Sequence, residues 1–199
     1  MRTISTILTT EGIFSEDGKK RYLLRKTWDA EKLRLAIIML APSEASGIAL
    51  DTTTQLVLNN SARLGYGGVD ILNLFATLND FSLRYAEDED IENMDAILKS
   101  AADADEVVYA PGVGKAKNKT FQHRQELVLS RLRPFEAKLK CLSDASGKAR
   151  LQHPLSPAVR VWHLSPFQIS ELLPETKADQ KKAKAEAVPR AQKKNRKSA

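Results

Sequence analysis

The sequence predicts an α/β protein with a four-stranded, mainly parallel sheet in a three-layer α/β/α arrangement. Four short, almost wholly apolar runs alternate with stretches of helical periodicity, as is typical of parallel strands covered on both faces. Glycine, proline or polar residues follow each run. Because ligands bind at the carboxyl ends of parallel strands, we expect one crevice lined by these following segments. The four runs are residues 33–40, 69–75, 107–110 and 139–142.

The remaining elements can be justified in chain order. Residues 3–14 and 21–28 flank the turn sequence Ser-Glu-Asp-Gly, which predicts an N-terminal β-hairpin. Asp51 and the three threonines after it offer N-cap oxygens to a helix of about ten residues. The other predictions are a polar loop or lid over 79–90, helices over 91–102 and 120–133, an edge strand over 159–164 and a helical turn within 166–173.

The net charge is confined to one end of the chain. Residues 1–174, which we expect to form one domain, carry 22 basic and 22 acidic side chains. Residues 175–199 carry 9 basic and 3 acidic ones and so account for the whole net charge of +6. This tail lacks aromatic residues and is predicted to be disordered. Its Lys and Arg side chains would contact the phosphates of DNA or a nucleotide; the alternative is a solubilising tail without a partner.

Composition argues against several classes of protein. No apolar run approaches the roughly 20 residues that span a bilayer, and residues 1–6 lack the apolar core of a signal peptide. We therefore expect no membrane partner. Cys141 is the only cysteine, so no internal disulfide forms, and a cytoplasmic location is expected. The three histidines have no metal-binding spacing, and we expect neither a metal nor a cofactor.

Candidate site residues follow the first two predicted strands. After the first strand come Pro42, Ser43 and Glu44, where a proline-fixed turn of small residues lets backbone N–H groups approach an anion or a base. Asn73 interrupts the second apolar run, and its carboxamide can read a nucleobase edge. Phe75 can stack on a base. The alternatives are an ordinary strand-end turn, an asparagine satisfied by backbone and a core phenylalanine.

Further candidates follow the third and fourth strands. Gly112 and Lys115 lie in a loop that follows a strand and leads into a helix. This arrangement suits anion binding, but the loop lacks the Gly-Lys-Ser/Thr ending of a P-loop. His153, Leu155 and Ser156 lie in a loop that contains two prolines. His153 can donate a hydrogen bond to a carbonyl oxygen on which charge develops, and Ser156 can bind phosphate. The alternative is a surface loop whose histidine is satisfied by backbone.

Six segments occur in a fixed order over roughly residues 22–157: RKTW, LAIIMLAPSEAS, DTTT, LGYGGVDILNLFAT, VVYAPGVG and LQHPLSP. Together they resemble the bacterial and phage domain-of-unknown-function family 1643. That family in turn resembles the uracil-DNA glycosylase superfamily. The resemblance implies a four-stranded parallel sheet flanked by helices, with a base pocket at the strand ends.

The resemblance also implies roles for the candidate residues. The loop with Ser43 would lie near the sugar, Asn73 would face the base, and His153 would donate to a carbonyl oxygen of that base. Leu155 and Ser156 would meet the opened duplex or a phosphate. The implied reaction is hydrolysis of the N-glycosidic bond of a base that is flipped out of the stack.

Three departures from the family patterns bear on catalysis. The third strand usually ends in Trp-Gly, whereas here Pro111-Gly112 follows Ala110. Position 41 is alanine where family 1643 usually has asparagine. The water-activating aspartate of many glycosylases has no counterpart, although Glu44 and Asp51 are nearby substitutes. The sequence therefore predicts a glycosylase-like domain that recognises a nucleotide or nucleic acid and, if it is an enzyme, acts as a DNA glycosylase-like hydrolase. The alternatives are a non-catalytic binder and a phage or mobile-element accessory protein that acts on a nucleotide or a host protein.

Overall fold

The structure is a computed structural model that describes residues 1–45, 47–86 and 90–173. Within these ranges the chain forms one seven-stranded mixed sheet. Its strands are β1 (Thr9–Phe14), β2 (Arg21–Thr27), β3 (Arg34–Met39), β4 (Gly68–Asn73), β5 (Glu106–Tyr109), β6 (Leu139–Ser143) and β7 (His163–Pro166). Their order across the sheet is β1-β2-β4-β3-β5-β6-β7. The predicted basic tail, residues 175–199, lies outside the described residues.

The four-stranded sheet expected from the sequence is the centre of this larger sheet. Strands β4, β3, β5 and β6 pair in parallel. The N-terminal hairpin joins one edge through antiparallel pairing of β2 with β4, and β7 pairs antiparallel with β6 at the other edge. The hairpin becomes part of the sheet because β2 is apolar on both faces: Leu23 and Leu24 are buried in different hydrophobic clusters.

Three α-helices connect the strands: α1 (Thr52–Arg63), α2 (Ile91–Asp103) and α3 (Lys119–Leu132). Each begins at a side-chain N-cap, supplied by Asp51, Asp90 and Asn118 respectively. Ile38 of β3 packs in the cluster that holds α2 and α3, whereas its neighbour Ile37 packs with α1. Among the described residues the sheet therefore carries helices on both faces, with α2 and α3 on one and α1 beside the segment 157–162 on the other. The seven-stranded mixed sheet and the single α-helix on the second face depart from the expected four-stranded, three-layer arrangement.

The last predicted strand is displaced along the chain. Because Pro157–Val159 forms a 3-10 turn, the edge strand begins at His163 and not at residue 159. Trp162, immediately before the strand, is buried. The expected final helical turn is a 3-10 turn at Ile169–Glu171. In the part of the chain that the structure describes, no helix is long and apolar enough to cross a membrane.

Candidate functional site

A cleft of about 750 Å³ opens where β3, β5 and β6 end. Its walls are the loops that follow these three strands together with the amino end of α1, as the parallel arrangement requires. The structure brings six of the ten candidate residues to this cleft. They are Ser43, Gly112, Lys115, His153, Leu155 and Ser156.

Three other candidates lie away from the cleft. Phe75 is 2% exposed and packs in the core with α2 and α3, so its ring is not available to stack on a base as expected. Pro42 is buried, and its carbonyl accepts a hydrogen bond from the Asn79 N–H. Glu44 is exposed, and its carboxylate accepts a hydrogen bond from Asn79 Nδ2 at 2.8 Å. The loop after β3 is thus tied to the loop after β4.

Asn73, the fourth of these candidates, lies behind the cleft and is linked to it by Arg21. The guanidinium of Arg21 donates to Asn73 Oδ1 at 3.2 Å and to the carbonyl of Ala45 at 2.6 Å. Arg21 lines the cleft although it is only 2% exposed. Burial lowers the pKa of Arg21 to about 10, against the opposing effect of Asp51, so it stays charged at neutral pH. Asn73 therefore holds Arg21 through Oδ1 and is not among the residues that line the cleft, where the resemblance would have it face a base.

The carboxylate in the cleft is Asp51, and it is held by Ser43. The Ser43 hydroxyl donates to one oxygen of Asp51, and the Thr54 N–H donates to the other at 2.6 Å. Burial raises the pKa of Asp51, but these hydrogen bonds and the charge of Arg21 outweigh it, and the pKa lies below its usual value. Asp51 is therefore ionised at neutral pH, and it lines the cleft whereas the candidate Glu44 does not.

His153 is held as a neutral donor. Its Nδ1 accepts a hydrogen bond from the Leu155 N–H at 3.2 Å, so the neutral ring carries its proton on Nε2. Burial lowers the pKa of His153, although the charge of Asp51 opposes this. At neutral pH the side chain therefore brings an uncharged N–H donor to the cleft.

Gly112 fixes the contact between the loops after β5 and β6. Its φ is +80°, and a Cβ placed on it would lie 3.0 Å from the Cβ of His153. A side chain at this position would meet both backbone strain and a close neighbour. The position of His153 thus depends on the glycine that the sequence had marked for anion binding.

Phe81 lines the rim of the cleft from the loop between β4 and α2. Asp80 ties this loop by accepting hydrogen bonds from the Ser82 hydroxyl at 2.9 Å and the Tyr85 N–H at 2.7 Å. Phe81 nevertheless remains 52% exposed. The sequence analysis predicted only a polar loop here and did not identify Phe81. The signal that could have identified it is a single aromatic residue among polar ones.

Fold and cleft together define a mixed α/β protein with a cleft at the carboxyl edge of its parallel strands. The chain belongs to the family described as protein of unknown function (DUF1643), whose model matches residues 21–155. The match runs from the start of β2 to the loop after β6 and includes the cleft residues from Arg21 to Leu155. Neither a curated protein nor a solved structure matches the chain.

Proposed function

We propose that the protein binds a nucleotide, or an unpaired nucleobase of a nucleic acid, in this cleft and hydrolyses its N-glycosidic bond. The observation that carries the proposal is the pairing of a neutral donor with an ionised carboxylate: His153 and Asp51 line the same cleft. A volume of about 750 Å³ is within the range of small-ligand sites. The resemblance to the uracil-DNA glycosylase superfamily supports the same class of reaction.

Binding would use the apolar and the cationic parts of the cleft. The exposed ring of Phe81 offers a face for stacking on a base. The Nε2–H of His153 would donate to a carbonyl oxygen of that base, and Lys115 would attract a phosphate. The Lys and Arg side chains of the tail would add phosphate contacts that are independent of sequence.

Hydrolysis would break the bond between the sugar carbon and the base nitrogen and form a bond from that carbon to a water oxygen. The base departs with the bonding electron pair. The Asp51 carboxylate would position the water and accept its proton, while His153 stabilises the negative charge that develops on the base oxygen. Ser43 would act through Asp51, whose orientation its hydroxyl fixes.

A specific observation favours a second candidate function. Position 41, which lines the cleft, is alanine, where the resemblance to family 1643 leads us to expect an asparagine. Without that carboxamide the cleft has one polar group fewer to orient water or a sugar. The second candidate is therefore a protein that binds the nucleotide without hydrolysing it.

The test is a panel of labelled single-stranded and duplex oligonucleotides that carry uracil or other altered bases. Abasic product is measured by alkaline cleavage, and affinity by fluorescence anisotropy. We expect abasic product from the native chain, and we expect it to form at least a hundredfold more slowly with His153→Ala and with Asp51→Asn. Asn at position 51 can still cap α1, so the helix is retained in that variant. Binding without product favours the second candidate, and the absence of both binding and product overturns the proposal.

Phe81 and Tyr85 provide a matched pair for the binding step. Both are exposed aromatic residues of the same loop, at 52% and 70%, but only Phe81 lines the cleft. Phe81→Ala should weaken affinity about tenfold, because the base no longer stacks on an aromatic ring. Tyr85→Ala should leave affinity unchanged, and an equal effect of the two variants would contradict the proposed place of the base.

A further inference from the structure

The N-terminal arm, residues 1–14, forms an exposed apolar edge. β1 lies at one edge of the sheet, and residues 1–8 continue beyond it without regular secondary structure. The arm contains neither proline nor lysine, the residues that usually protect an edge from pairing. It also lies outside the residues that match the family. Its large apolar side chains are all exposed: Met1, Ile4, Ile7, Leu8, Ile13 and Phe14.

We propose that this arm pairs antiparallel with the arm of a second copy of the chain, so that residue 2 of one copy lies opposite residue 11 of the other. Arg2 and Glu11 are the only charged side chains of the arm. Within the described residues neither is in a salt bridge, although Glu11 lies opposite Arg25 of β2, whose guanidinium is bound to Asp70. In this register Arg2 faces the partner's Glu11 and Glu11 faces the partner's Arg2. Both ion pairs form together about a two-fold axis.

The same register also brings the apolar side chains together. Thr6 lies opposite the partner's Ile7, and the diagonal neighbours of that isoleucine are Ile4 and Leu8. On each face of the paired arms, three side chains that are exposed in the single chain thus lie next to one another: Ile4, Leu8 and the partner's Ile7. Residues 2–4 of each copy add to the free edge of the other at residues 9–11. A shift by one residue would place Arg2 opposite the partner's Gly12 and break both ion pairs.

The experiment is sedimentation equilibrium of the full chain, without added N-terminal residues, up to millimolar concentration. We expect a dimer whose dissociation constant rises about tenfold in Arg2→Glu and in Glu11→Arg, since each change sets two like-charge pairs face to face. The double variant should dimerise at least about threefold more tightly than Glu11→Arg alone, because the two pairs form again with their signs exchanged, while the repulsion between residue 11 and Arg25 of β2 is the same in both variants.

Ile7→Lys tests the apolar contact and should abolish the dimer. Its matched control is Ile48→Lys, since Ile48 is 99% exposed and lies outside the arm. Circular dichroism should be native in both variants because neither side chain is buried. A monomer at every concentration overturns the proposal, and so does a dimer that the double variant fails to restore.

Discussion

Gly112 combines a positive φ with a close neighbour, so a single methyl group there has two effects. We predict that Gly112→Ala lowers the free energy of unfolding by about 1–2 kcal/mol through backbone strain. It should also weaken nucleotide binding, because the new Cβ lies 3.0 Å from the Cβ of His153. Urea denaturation and anisotropy measure the two effects.

Gly114→Ala is the control for this prediction. Gly114 is in the same loop, and a Cβ on it would meet nothing within 4 Å. Stability should be unchanged or slightly higher, since alanine restricts the unfolded chain. Equal behaviour of the two variants would contradict the role given to Gly112.

At the residue scale, sequence reasoning located loops better than side chains. Glycine and proline act on their own backbone, so the loops that hold Gly112 and His153 were predicted from local signals alone. Arg21 was missed because the side chain of a residue in the hairpin reaches the cleft only through tertiary packing. Asn73 was recognised as a costly buried carboxamide, but its sequence position did not reveal that an arginine would be its partner.

At the scale of elements, Asp70 joins three strands. Its carboxylate in β4 is fully buried and accepts from Arg25 of β2 at 2.7 and 2.6 Å and from Arg34 of β3 at 3.1 Å. Asp70→Asn leaves both guanidinium groups without a carboxylate, and we predict a decrease of about 3 kcal/mol in the free energy of unfolding. Urea denaturation provides the measurement.

An exposed ion pair serves as the comparison for Asp70. Asp17 lies 3.5 Å from Lys19, and both side chains are largely exposed. Asp17→Asn should leave the unfolding midpoint unchanged, since solvent screens such pairs. A similar shift in both variants would show that burial does not strengthen the Asp70 network.

The elements themselves were predictable to different degrees. The four parallel strands and three helices follow from the period and length of their apolar patterns, which are local properties. The docking of the hairpin onto β4 is a pairing of distant segments: the apolar residues of β2 indicate that it is buried on both faces but do not specify β4 as its partner. Asp70 was the overlooked signal: a buried carboxylate within an apolar run needs a cation beside it, and Arg25 and Arg34 on the neighbouring strands supply it.

At the scale of the whole molecule, the net charge of +6 is carried by residues 175–199, which lie outside the described residues. Deleting residues 175–199 removes 9 basic and 3 acidic side chains. If these side chains bind phosphates, the slope of log affinity against log salt should become shallower by about 0.9 for each duplex phosphate that the tail neutralises. A tail of equal length with glutamine for each Lys and Arg is the control, and an unchanged slope in either variant would rule out phosphate binding by the tail.

Arg21 has a consequence for the thermodynamics of recognition. It already fixes the carbonyl of Ala45, and Asp80 already fixes the turn that presents Phe81. A cleft preorganised in this way orders little of its own polypeptide when it is filled. Under the proposed function, the entropy cost of association would then fall chiefly on the incoming molecule, and discrimination between ligands would rest on how well their shape fits the described residues of the cleft.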